Sequence, residues 1–164
     1  MEKIKWGIIG PGNIANNFAD GLKGSYSGQL VSIASKSEDR RKNFGDKYDI
    51  HPDFRFDSYE DIINSEHIDA IYISTPHTLH AEWTIKAAGK GKHILCEKPG
   101  AINFNEGKKI IDAVREAGVF YMEGFMYRCH PQIPKLVDII KNKIIGDVRS
   151  VEASFGFDMG KTIP

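Results

Sequence analysis

Cysteine is scarce in this sequence: there are two in 164 residues, Cys96 and Cys129. Neither has the close Cys or His spacing that builds a zinc site or a redox pair, so a disulfide framework and a metal site are not expected. That usage fits a reducing cytoplasm. An excess of charge of one sign is also lacking, because Lys+Arg and Asp+Glu both number 22. Without a basic run the chain has no electrostatic footprint for nucleic acid or a membrane surface, and Gly89-Lys90-Gly91-Lys92 reads as a solvated turn. No apolar stretch approaches the ~20 residues that span a bilayer. The start, Met1 to Trp6, runs straight into a strand-like segment and has no secretory pattern. Repeats of solenoid period and low-complexity tracts are missing as well. With 41% of residues hydrophobic, the chain can still build a core. A chain of this size buries roughly 70% of its unfolded surface, and at about 150 residues per domain it amounts to one domain with an appendage.

Short apolar runs alternate with longer amphipathic segments as far as about Gly124, the pattern of strand-helix units around a parallel sheet. Strands are predicted at Ile4–Ile9, Leu30–Ala34, Phe54–Phe56, Ala70–Ile73, His93–Cys96 and Val119–Met122. Helices are predicted from Asn13, with Ile14, Phe18 and Leu22 on one face, and after Ser37, with Glu38 and Asp39 in the first turn. Another follows Ser58, whose spacing to Asp61 resembles a capping box. Asn105–Ala117 puts Ile110, Ile111 and Val114 on one face and stops at Gly118. A last helix is predicted over Pro131–Lys143. Val148–Phe155 then alternates like a half-exposed strand, continuing toward Phe157. Such a strand normally belongs to a second sheet built by later sequence, so the chain is expected to be truncated. The predicted fold class is α/β, a doubly wound parallel sheet, carrying the first strand of an incomplete α+β second domain. The expected division is 1–124 and 125–164.

Gly10-Pro11-Gly12-Asn13-Ile14-Ala15 matches G-x-G-x-x-A between a predicted strand and a predicted helix, the context in which this turn holds a dinucleotide. Gly10 permits the tight turn, Gly12 lets backbone approach a pyrophosphate, and Ala15 allows close helix packing. The helix amino end, at Asn13 and Ile14, supplies N–H groups and the positive end of a dipole. Where an NAD-binding chain carries an acid about 20 residues on, this one reads Ser35-Lys36-Ser37, followed by Arg40 and Arg41. A small hydroxyl with nearby cations suits a 2′-phosphate, which favours NADP. The alternative is NAD, with the cations facing water and Glu38 or Asp39 reaching the ribose.

Ligands collect at the carboxyl ends of strands in open parallel sheets, so Ser74-Thr75-Pro76-His77 and Glu97-Lys98-Pro99 are expected near the reacting end of the cofactor. A lysine there, desolvated by a bound cofactor, suits proton shuttling, and Glu97 is expected to hold or tune it. His77 and His80 lack a carboxylate or cysteine to complete a metal set. Cys96 reads as core filler, and Tyr121, Phe125, Met126 and Tyr127 as packing residues, with Tyr127 a candidate border of the site.

Four ordered segments, Gly10–Ala15, Thr75-Pro76 with His80, Cys96-Glu97-Lys98-Pro99, and Glu123–Pro131, resemble the Gfo/Idh/MocA oxidoreductases. The Met126–Pro131 run is most similar to the dihydrodiol dehydrogenase and glucose-fructose oxidoreductase branch. The resemblance implies a nucleotide-binding domain followed by a larger mixed-sheet domain, and reversible oxidation of an alcohol on a sugar, polyol or diol. It implies that Gly10, Gly12 and Ile14 line the pyrophosphate and that Ser35 and Lys36 meet the adenosine ribose or its phosphate. Thr75, Pro76 and His80 follow the cofactor's length, with His80 three residues into a helix, and Lys98 is the catalytic residue beside Glu97. Arg128 would lie near the cofactor. His77 stands where the family often has Asn, and the groups that complete catalysis in the second domain have no counterpart here.

The function expected is that of an NAD(P)-dependent oxidoreductase with a small-molecule substrate, homo-oligomeric through a missing second domain and inactive in this chain alone. The alternative is a module that binds or senses the dinucleotide without turnover.

Overall fold

A computed structural model describes residues 2–156 and 158. They fall into two compact units, the first ending at Phe125 and the second beginning at Met126.

The first unit is a six-stranded sheet in the order β3-β2-β1-β4-β5-β6, every neighbouring pair parallel. The strands are β1 (Ile4–Ile9), β2 (Gly28–Ala34), β3 (Arg55–Phe56), β4 (Ala70–Ile73), β5 (His93–Cys96) and β6 (Tyr121–Glu123). The helices are α1 (Asn13–Lys23), α2 (Glu38–Lys47), α3 (Tyr59–Asn64), α4 (His80–Gly89) and α5 (Phe104–Ala117). This is the doubly wound arrangement expected. Successive strand side chains point to opposite faces, which explains two apolar layers. Ile8, Ile33 and Tyr72 pack with Ala15 and Ala19 of α1 and Phe44 of α2. On the other face Ile9, Ala34, Ile71, Ile73, Ile94 and Cys96 pack with Ile62 and Ile63 of α3 and with Trp83, Ala87 and Ala88 of α4.

Helix ends follow local chemistry. Ser37 Oγ accepts from the N–H of Arg40, and Ser58 Oγ from those of Glu60 and Asp61. α5 starts at Phe104, one residue before the predicted Asn105, behind an Asn103 cap, and Gly118 closes it in the left-handed conformation at φ 65°. Ile110 is buried and Val114 half-buried as expected, while Ile111 is 40% exposed, turned past the edge of the stripe.

Several expectations are corrected. Phe54 belongs to a 3-10 turn, Pro52–Phe54, because β3 pairs with β2 only through Arg55 and Phe56. The last strand starts at Tyr121, not Val119, since its ladder to β5 begins with Ile94. In the second unit α6 covers Gln132–Lys141, shorter than predicted at both ends. Val148–Phe155 forms no strand: residues 148–156 join no ladder among the described residues, and Val151 is 81% exposed. Alternation confers strand structure only where a neighbouring strand takes up the backbone groups. Phe157 lies outside the described residues. No helix among them is long and apolar enough to cross a membrane.

At the sheet's amino edge Lys92 is buried, and its Nζ donates to the carbonyls of Ser65 at 2.7 Å and Ile68 at 2.6 Å. Burial pulls its amine below the usual lysine range. Lys92→Met, which leaves both carbonyls without that donor, should lower stability by about 1–3 kcal/mol in urea unfolding. An unchanged midpoint would show that water replaces the amine.

Candidate functional site

The register brings the carboxyl ends of five strands level. Ile9 is paired with Ala34 on one side and Ile73 on the other, Ile73 with Cys96, and Cys96 with Glu123. The next residues, Gly10, Ser35, Ser74, Glu97 and Gly124, therefore emerge along one edge.

Gly10 has φ +91°, and a Cβ there would lie 3.0 Å from the carbonyl oxygen of Ser74. Only glycine fits this turn without strain. Ser74 locks it from β4: its hydroxyl donates to the Gly10 carbonyl at 2.7 Å, and its N–H donates to Ile9. Expected as a cofactor contact, Ser74 has its one hydroxyl proton committed to the turn and offers a ligand only lone pairs. Gly12 caps α1 with no side-chain hydrogen bond, and a Cβ at Gly12 would meet nothing within 4 Å. The first intrahelical bond comes from the N–H of Asn16 to the Gly12 carbonyl. The N–H groups of Asn13, Ile14 and Ala15 are thus left without intrahelical acceptors. Open space over unpaired amides at the positive end of a helix dipole is what an anion needs.

The next edge position, Ser35, is buried, and its Oγ accepts from the N–H of Ser37 at 3.2 Å. Arg41 donates to the Ser35 carbonyl at 2.7 Å, so this cation braces the strand end. Lys36 and Arg40 are exposed, and Lys36 Nζ lies 5.8 Å from the centroid of the Tyr59 ring. Glu38 and Asp39 sit exposed in the first turn of α2.

After β4, Thr75 is buried and its Oγ1 has no hydrogen-bond partner. Thr84 Oγ1, within α4, is buried without a partner in the same way. Pro76 and His77 are exposed. His80 is corrected in two respects. It opens α4, after a 3-10 turn at His77–Leu79, and it is completely buried. Its Nδ1 lies 2.8 Å from the Pro99 carbonyl and its Nε2 2.8 Å from the Thr75 carbonyl. The ring ties the two loops together and presents no surface to a cofactor.

The loop after β5 is held on every side. The N–H of Glu97 donates to Ile73 and that of Gly124 to Cys96. Gly100 N–H donates to Glu123 Oε1 at 2.7 Å. Glu97 does not hold Lys98: its Oε1 accepts from the Tyr72 hydroxyl at 2.6 Å. Lys98 is exposed and makes no ion pair or hydrogen bond among the described residues. Cys96 is buried, which pushes its thiol up to about 12, in keeping with core filler. Tyr72 and Glu123 escape sequence reasoning, although a phenol inside the aliphatic run Ala70–Ile73 is a signal, since a buried Tyr hydroxyl needs a partner.

In the second unit Arg128 lies exposed in a 3-10 turn, Met126–Cys129. Met126 and Tyr127, expected to pack, are exposed. Among the described residues no group of three His, Cys, Asp or Glu could hold a metal ion.

Comparison with known proteins agrees with this geometry. The pattern of an oxidoreductase family with an NAD-binding Rossmann fold, Gfo/Idh/MocA, matches residues 4–125. Trans-1,2-dihydrobenzene-1,2-diol dehydrogenase of Mus musculus is 33% identical over 158 residues, 95% of this chain and 47% of that protein. dTDP-3,4-didehydro-2,6-dideoxy-alpha-D-glucose 3-reductase of Actinomadura kijaniata is 34% identical over 153 residues, 93% of this chain and 45% of the other. The chain therefore spans about half the length of the curated relatives it matches. Among solved structures, KijD10, a 3-ketoreductase from Actinomadura kijaniata in complex with NADP, superposes with TM-score 0.79 at 32% identity, covering 88% of this chain and 46% of that one. WlbA dehydrogenase from Bordetella pertussis, in complex with NADH and UDP-GlcNAcA, gives TM-score 0.79 at 26% identity, with 87% and 43% covered.

The two glycines separate shape from stability. Gly10→Ala, forced against Ser74 at positive φ, should cost about 1–3 kcal/mol. Gly12→Ala, at φ −93° with open space around it, should stay within about 0.5 kcal/mol, because a weaker cap is offset by lower unfolded-chain entropy. Urea titration of both variants checks the pair, and equal losses would refute the steric account.

Proposed function

This chain belongs to the Gfo/Idh/MocA family of oxidoreductases, and from that membership we propose that it holds the dinucleotide of an NAD(P)-dependent enzyme acting on an alcohol or carbonyl of a sugar, polyol or diol. The observation that carries the reading is one edge of the sheet. Along it stand a glycine turn open to an anion, an unsatisfied Thr75 hydroxyl and an unpaired Lys98 amine.

Gly10, Gly12, Asn13 and Ile14 form the cradle for a pyrophosphate, with the free N–H groups of α1 as donors. Ser35, Lys36 and Arg40 stand at the ribose end. The absence of a carboxylate at Ser35 together with two exposed cations favours a 2′-phosphate, hence NADP, with NAD the alternative. The Actinomadura reductase, whose structure holds NADP, supports that choice; the Bordetella dehydrogenase holds NADH. Ser74, Thr75 and Pro76 border the path between the two ends. When bound, the dinucleotide supplies the nicotinamide C4 that accepts or donates hydride. Lys98, at the end of β5, takes or returns the proton of the substrate hydroxyl, and Glu97 lies beside it. The assignment of Arg128 to the cofactor rests on the motif resemblance alone. Two free thiols, Cys96 buried and Cys129 exposed, support a reducing compartment such as the cytoplasm. Self-association into a homo-oligomer belongs to the same reading.

Titration calorimetry tests the cofactor assignment: NADPH should bind more tightly than NADH, and Lys36→Glu should reverse the order. Equal affinities in the unaltered chain would remove the argument for NADP, and no binding of either would refute the reading itself. Gly12→Ala should abolish binding while the fold persists.

For the proton step, Lys98→Met in the full-length parent should lower turnover of a responsive sugar, polyol or diol by roughly 10²- to 10⁴-fold. Its affinity for NADPH should change little. Unaltered turnover would return Lys98 to the status of a solvated surface charge.

A further inference from the structure

Two carboxylates belong to the strand ends around Lys98, Glu97 next to it in sequence and Glu123 at the end of β6, and each accepts a hydrogen bond from another group. Glu123 is level with Cys96 in the β5–β6 register, and its Oε1 accepts from the Gly100 N–H. Glu97, the residue before Lys98, accepts from the Tyr72 hydroxyl at 2.6 Å. That distance is typical of a charge-assisted O–H···O⁻ bond, the stronger kind. Tyr72 is 2% exposed, and its ring stacks on Phe18 with centroids 4.1 Å apart and planes 24° from parallel. Confined by β4 below and Phe18 above, the ring leaves its hydroxyl one course, toward the end of β5. Burial first, and then the hydrogen bond to Glu97, push the phenol well above its ordinary range, so it remains a donor at neutral pH.

An ammonium next to a free carboxylate would ordinarily pair with it, which draws its head group aside and holds its proton in the pair. Here the neighbouring carboxylate is drawn toward the Tyr72 hydroxyl and makes no pair with the lysine. We propose that Tyr72 is a positioning residue for Lys98: by donating to Glu97 Oε1 it holds that carboxylate turned toward β4 and away from the adjacent ammonium, which is left for the substrate oxygen. The catalytic sense of this rests on the reading above, in which Lys98 handles the hydroxyl proton; the contact itself does not. At 2% exposure Tyr72 offers almost no surface to a ligand, and it acts through Glu97.

The test uses the unliganded chain and the reactivity of one amine. Brief acetylation with acetic anhydride at pH 8, read by peptide mass spectrometry, gives the rate at Lys98 relative to Lys109, which is exposed and outside every ion pair described. In the unaltered protein Lys98 should label as readily as Lys109. Tyr72→Phe retains the stacked ring but releases Glu97, and labelling of Lys98 should fall about two- to fivefold, the range for an exposed ion pair. Tyr72→Phe combined with Glu97→Gln should restore the original ratio. Circular dichroism of each variant establishes that the sheet is intact. Slow labelling of Lys98 in the unaltered chain, no decrease in Tyr72→Phe, or a decrease that Glu97→Gln does not reverse would each overturn the proposal. If NADPH fails to bind while the labelling pattern holds, the cofactor reading falls and the positioning contact stands.

Discussion

The structure depends above all on the parallel register of β1 between β2 and β4. With Ile9 opposite both Ala34 and Ile73, the glycine turn emerges flanked by Ser35 and Ser74. A slip of one residue on either side would exchange the faces of every side chain in the slipped strand and break both apolar layers at once. Register is therefore enforced by burial: Ile8 and Ile9, adjacent in sequence, lie in opposite layers and are both fully buried. The alignment of strand ends that makes the edge a binding surface follows from core packing.

On that frame the edge is rigid where it must be and open where a ligand would lie. The Ser74 hydroxyl pins the Gly10 turn, the Arg41 guanidinium pins the end of β2, and the ring of His80 joins the loops after β4 and β5. Glu123 fixes Gly100 across from β6. Between these ties stand the groups left unsatisfied: the first amides of α1, the Thr75 hydroxyl and the Lys98 amine. Polar groups are normally paired in a folded interior, so these unpaired ones are the features on which the proposed cofactor site rests. On the proposed reading of Lys98, hydrogen bonds from rigid elements to its neighbours, without engaging Lys98 itself, give the preorganisation that proton transfer requires.

The sequence by itself determined the α/β class, the strand order's raw material, the dinucleotide turn and the starts of the first three helices, because these depend on local quantities. Apolar runs, glycine at a required positive φ, and Ser or Asn caps are readable over a few residues, as at Gly10, Ser37 and Gly118. Family resemblance added Lys98 and its neighbours as candidates. What only the tertiary structure decided is which polar groups find one another over long separations. Tyr72 reaching Glu97 and His80 reaching Pro99 could not be read from spacing, since each needs two strand ends brought together by the sheet. The same reason governs 148–156, where alternation is present but no neighbouring strand joins it among the described residues. A strand, unlike a helix, is completed by another segment, and a one-dimensional pattern does not contain its partner.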